Sequence, residues 1–293
     1  MQNNEEESQS GLKLIVILLF IFALGFLTFM DDKSDIGMNL DNPKTIVILK
    51  FLQAIGVLII FILPSFLFAI FWTKPKIHYL SITTKPALST LLIAGTGMLM
   101  ALPMINWLAE INQRMQFPKA FNGIEVWMKH SEEKATLLTD ALTKGDTIDV
   151  LILNLIVIAL MAAFSEELFF RGILQKVLNE NTRNKHIGVW VGAILFSAFH
   201  MQFYGFLPRM LMGAYLGYLF LWSGSLWPGI FAHFINNGMA VILIWFSNRG
   251  DINVDADKVG IQENEWIYVV ISFVMVAMSL LFIYRKEKKE MYH

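Results

Sequence analysis

The stretch Leu151–Gly172 reads LILNLIVIALMAAFSEELFFRG. It opens as a run suited to lipid and closes on two adjacent glutamates and an arginine. A sustained apolar run without alternation reads as a membrane helix and not as a barrel strand. An ionisable group in such a helix costs several kcal/mol unless it is paired or faces a polar cavity. The placement of Glu166, Glu167 and Arg171 therefore bears on both fold and function. The same tripeptide occurs at Ser131-Glu132-Glu133, between Lys129 and Lys134, where it reads as an ordinary solvated surface.

Working outward, 56 % of the 293 residues are hydrophobic and only 16 % are charged. Soluble domains carry about a quarter charged residues, so this composition predicts an all-α polytopic membrane protein. Apolar runs at about 12–30, 46–72, 86–108, 148–174, 187–204, 206–222, 225–247 and 266–284 predict about eight transmembrane helices around a central intramembrane cavity. The first follows the acidic Glu5-Glu6-Glu7 and not a basic segment, and reads as a retained helix. A net charge of −1 gives no reason to expect nucleic acid as a partner. The absence of cysteine excludes disulfides, thiolate ligands and a cysteine nucleophile.

Lysine and arginine near helix ends set the orientation. With the N-terminus inside, the inner segments hold Lys74, Lys76, Lys85, Lys176, Arg183 and Lys185, and the tail holds Arg285, Lys286, Lys288 and Lys289. The outer loops are richer in acid: Asp31, Asp32, Asp35 and Asp41 in the first, and Asp251, Asp255, Asp257, Glu263 and Glu265 in the last. Both termini are expected in the cytoplasm, for a multi-pass protein of a bacterial inner (plasma) membrane. In the long loop at about 109–147, Phe121, Ile124, Trp127 and Met128, then Leu137, Leu138 and Leu142, fall at helical spacing. They predict either an amphipathic helix in the outer interface or a small soluble cap.

Three of these helices carry polar groups: Glu166, Glu167 and Arg171; Phe196 and His200 in FSAFH; His233, Asn236 and Asn237 in HFINN. Glu167 and Arg171 are four apart, share a face and can pair. Glu166 is turned about 100° from its neighbour and is left without a local partner. His233 and Asn237 share a face. A glutamate in poorly hydrated surroundings is a stronger base than one in water. Glu166, helped by His200, can take a proton from water, and His233 with Asn237 can stabilise an oxyanion, one such donor being worth roughly 3–4 kcal/mol. Glu166, His200 and His233 are equally a ligand set for Zn²⁺. Both a metal-free site and a divalent-metal site stay open.

Each residue has a plainer role to set against this. A lone histidine in a membrane helix is often a structural hydrogen-bonding group, Glu167–Arg171 reads as a structural pair, and Phe196 reads as packing. Other intramembrane protease chemistries find less support. There is no HExxH, and the GD at Gly145-Asp146 lies in the loop. Ser225 sits at a short turn, and Ser197 lacks an oriented base. Gly213 and Gly217 form a small-xxx-small pattern that predicts close helix packing. The alternative to an enzyme is a proton-linked transporter or a scaffold using the same buried cluster.

Together Glu166-Glu167-xxx-Arg171, Phe196-xxx-His200 and His233-xxx-Asn237 resemble the three motifs of the CPBP (Abi) family of CAAX prenyl proteases and bacteriocin-processing enzymes. The flanking FFRGILQ and GSLWPGIFAH resemble it too, over about 148–240. The resemblance implies an intramembrane (metallo)endopeptidase acting on a membrane-associated peptide or protein near the cytoplasmic face. It implies water activation by Glu166 and His200, oxyanion stabilisation by His233 and Asn237, and a supporting role for Glu167, Arg171 and Phe196. The expected layout is an N-terminal membrane region over 1–147, a catalytic core over 148–247, and a last helix with a basic tail over 248–293.

Overall fold

The computed structural model describes residues 16–17, 42–73, 77–251, 258–262 and 265–290. The expected helix 12–30, apart from helical Val16 and Ile17, lies outside these residues, as do the acids at 31–41 and 252–257 and the lysines at 74 and 76. Among the described residues the chain is helical and without strands.

Helix α1 runs without a break from Pro43 to Trp72. At its start the Asn42 side chain accepts from the Lys44 N–H at 3.0 Å. Proline fits here because the first helical N–H groups have no intrahelical acceptor. Helices α2 (Leu88–Leu99) and α3 (Leu102–Gln113) form one run bent by 44°, with Pro103 in the first turn of α3. Helix α4 covers Asn122–Thr143, and α5 runs for 35 residues over Ile148–Thr182. Then come α6 (Lys185–Phe199), α7 (Phe206–Ser223), α8 (Trp227–Arg249) and α9 (Trp266–Glu290). Gly224 and Gly250, at φ 64° and 74°, end α7 and α8 in the left-handed conformation that glycine adopts without strain.

Four helices, α1, α5, α8 and α9, are long and apolar enough to cross a membrane, or five if the bent α2–α3 pair is one span. The expected count of about eight is thus not reached among the described residues. The chief departure is at 187–204: α6 stops after 15 residues, about 22 Å at 1.5 Å per residue, against roughly 30 Å of hydrocarbon. The chain turns there through Met201, whose φ of 55° a non-glycine residue rarely adopts.

Large apolar side chains face outward along the bundle, among them Phe51, Phe71, Leu88 and Trp266, as a lipid-facing surface requires. Lipid is as apolar as a leucine, so helices in it are joined by close packing and by polar bonds across their faces. Gly213 and Gly217 supply the first: a Cβ would lie 3.2 Å from the Ala193 backbone in one case and 3.0 Å from Val189 in the other. The second come from Tyr215 to the Ala94 carbonyl (3.0 Å), Ser225 to Thr84 O (2.7 Å) and Trp245 to Thr147 O (3.0 Å). An aromatic cluster of Phe61, Phe169, Phe170, Phe196 and Phe199 joins α1, α5 and α6. Each such pair adds about 0.5–1.5 kcal/mol beyond the area it buries.

Candidate active site

Helix α5 carries the carboxylates between two π-helical segments, Leu155–Met161 and Phe170–Gln175. Such segments are frequent at functional sites. Glu167 and Arg171 are fully buried. Glu167 Oε1 accepts from Arg171 Nη1 at 2.7 Å and from His233 Nδ1 at 3.0 Å. Arg171 Nη2 also donates to the Gly213 carbonyl at 2.9 Å, and its guanidinium lies 4.6 Å from the Phe196 ring centre. Glu167 is thus a junction between an arginine and a histidine, more than the local pair its spacing predicts. On α8, Gly229 leaves it room: a Cβ there would come within 3.0 Å of Glu167 Oε2.

Glu166 faces elsewhere. Its Oε2 is buried with no hydrogen-bond partner, 3.8 Å from His200 Nε2 and 3.9 Å from His233 Nε2. The partners of the other ring nitrogens fix what those Nε2 atoms are. His200 Nδ1 lies 2.8 Å from the Phe196 carbonyl, which only accepts, so Nδ1 carries the proton. His233 Nδ1 likewise donates to the Glu167 carboxylate. In the neutral rings both Nε2 atoms hold lone pairs turned toward Glu166. Phe196, fully buried, sets its ring edge-on against both imidazoles, at 5.0 Å from His200 and 5.8 Å from His233.

Glu166, His200 and His233 are therefore brought together. Asn237 sits one turn further along α8, where its amide donates to Ile158 O at 3.4 Å, beyond the usual hydrogen-bond range. Its Oδ1 accepts from Asn236 at 3.2 Å.

Sequence reasoning gives three residues beside the site no part in it. Arg209, on α7, donates to Gln202 O (3.2 Å) and Gln202 Oε1 (2.8 Å). Asn112 holds the turn between α6 and α7, donating to Phe203 O at 2.8 Å and accepting from Leu207 N at 2.7 Å. Glu132 accepts from Tyr204 N at 3.2 Å and is part-buried, which corrects its reading as solvated surface: α4 lies over the turn that follows His200. The rule for intramembrane charges, applied to Arg209 within 206–222, would have found it. Nothing local marks Asn112 or Glu132, because their partners are 72 to 95 residues away.

The donor atoms of Glu166, His200 and His233 suit Zn²⁺ by type. Zinc with bonds of about 2.0–2.1 Å sets tetrahedral ligand atoms roughly 3.4 Å apart, closer than the separations here. Among the described residues no group of three or more His, Asp or Glu is disposed to hold a metal ion. As arranged, the set does not fit zinc. A cavity of about 200 Å³ lies off this centre, lined by apolar side chains that include Met98, Trp190, Leu211 and Phe273.

Residues 148–239 match the family model described as type II CAAX prenyl endopeptidase Rce1-like. A stretch of 99 residues is 31 % identical to the uncharacterized protein YpbD of Bacillus subtilis (strain 168), covering 32 % of this chain and 48 % of that one. The match thus spans about half the length of that relative. No solved structure matches the chain.

Proposed function

We propose that this chain is a CAAX-protease-like intramembrane endopeptidase, with 148–247 as its catalytic core and a membrane-associated, prenylated peptide as its substrate. The observation that carries the reading is the partnerless Oε2 of Glu166 between two imidazole lone pairs, at 3.8 and 3.9 Å. Such distances are too long for direct bonds and suit a shared water. The family match over 148–239 supports the reaction class.

In this reading Glu166 and His200 Nε2 each accept a hydrogen bond from one water. Glu166 takes its proton as the water oxygen attacks the peptide carbonyl, and the carbonyl electrons move to oxygen. Glu166 then returns the proton to the amide nitrogen as the C–N bond breaks. His233 can donate to the oxyanion only when Nε2 is protonated, and Glu167 opposite Nδ1 stabilises that imidazolium. Asn237 turns its amide from its long bond with Ile158 to supply a second donor. Phe196 and Arg171 hold the rings and Glu167 in place. The basic segments support a topology with both termini cytoplasmic.

The test is cleavage of an S-farnesylated peptide by the full chain in lipid nanodiscs, in ¹⁸O-labelled water. One ¹⁸O is expected in the new carboxylate, with cleavage lost in His200→Ala and His233→Ala. Proton flux in liposomes that Glu166→Gln abolishes, with no peptide cleaved, would instead establish a transporter.

A further inference from the structure

Arg209 takes no part in the steps above, and among the described residues no carboxylate pairs with it directly. Two hydrogen bonds set the register of α5 against α7: Arg171 donates to Gly213 O, and Gln175 donates to Gly217 O. Both join residues 42 apart, one turn after the other along both helices. The same offset, one turn back, brings Arg209 level with Glu167 and beside Glu166. Glu167 is already held by Arg171 and His233, so this third rung is not closed.

The Arg209 guanidinium turns instead to Gln202, a neutral residue, through two of its five N–H groups. Among the described residues no carboxylate is within ion-pair distance of it; Glu132 and Glu166 act on its charge only from further off, and its own charge acts on His200. It is half-buried and lies in the first turn of α7, where the helix dipole already disfavours a cation. A guanidinium so placed, beside the reacting centre, is a receptor for a planar anion.

We propose that Arg209 determines specificity by receiving a carboxylate of the peptide substrate, which fixes the scissile bond against Glu166. This rests on the peptidase reading and adds a substrate requirement: a carboxylate a few residues from the cleaved bond. The carboxylate is either the C-terminus or an acidic side chain. A plainer role for Arg209, as a counter-charge that keeps Glu166 ionised, would affect all peptides alike.

The experiment uses the full chain in nanodiscs and S-farnesylated heptapeptides with a free C-terminal acid, with a C-terminal carboxamide, and with each acidic side chain replaced by its amide. Wild type should lose about 10- to 100-fold in kcat/KM, chiefly through KM, on the peptide lacking the recognised carboxylate. The peptide that suffers the loss identifies the source. Arg209→Gln should cleave the acid and amide forms equally, and Arg209→Lys should recover part of the preference. The peptide-side comparison in wild type needs no variant to fold. Equal cleavage of every peptide by wild type overturns the proposal. So does an Arg209→Gln chain that is slower on all peptides but keeps the wild-type preference. In either case, cleavage that still vanishes in Glu166→Gln leaves the peptidase reading standing. Failure of wild type to cleave any peptide overturns that reading, and this inference with it.

Discussion

Glu166 and Glu167 are adjacent in sequence and have opposite surroundings. Each has an Oε2 without a hydrogen-bond partner, but Glu167 is held through Oε1 by both Arg171 and His233, whereas Glu166 Oε2 lies 3.8 and 3.9 Å from the two imidazole Nε2 atoms. Removing Arg171 would strand a buried carboxylate, so Arg171→Ala should cost about 3–5 kcal/mol, seen as a lowered thermal midpoint. An unchanged midpoint would remove the structural role given to the pair. Gly229→Ala presses a Cβ to 3.0 Å from Glu167 Oε2. It should cost about 1–3 kcal/mol and weaken cleavage by tilting His233, which cleavage at the wild-type rate would contradict. The contrast between the two glutamates was legible, because helical geometry alone turns neighbours apart and pairs Glu167 with Arg171. The bond from His233 to Glu167 was not, since it depends on how α5 and α8 meet.

At the scale of elements, the site is assembled by α5, α6 and α8 and closed by the turn between α6 and α7. Apolar content placed the starts of these helices close to Ile148, Lys185 and Trp227, and the small-residue pattern at Gly213 and Gly217 agrees with the close contact of α6 with α7. It could not find the end of α6. No glycine or proline stands between His200 and Phe203, and the break rests on the strained Met201 with anchors from α3 and α4. Asn112 makes two of those anchoring bonds. Asn112→Ala should cost about 1–3 kcal/mol and slow cleavage while circular dichroism stays unchanged. Full activity in that variant would show that the turn needs no such anchor.

For the whole molecule, apolar composition identified a membrane protein, but hydropathy alone does not show that an apolar helix such as α6 stops short of crossing. The orientation follows from charge alone and can be measured directly, since the chain has no cysteine of its own. Single cysteines at Lys144 and Asp251 should react with an impermeant maleimide in intact cells, and those at Lys85 and His186 should react only after lysis. The reverse pattern would invert the topology.

The central claim is that Glu166 takes the proton from the attacking water. Its most direct test is the single-turnover cleavage rate of Glu166→Gln, with folding checked by thermal unfolding. A neutral amide of the same shape should leave the midpoint near that of wild type and lower the rate by about 10²–10⁴-fold. A folded Glu166→Gln chain that cleaves as fast as wild type would contradict the account.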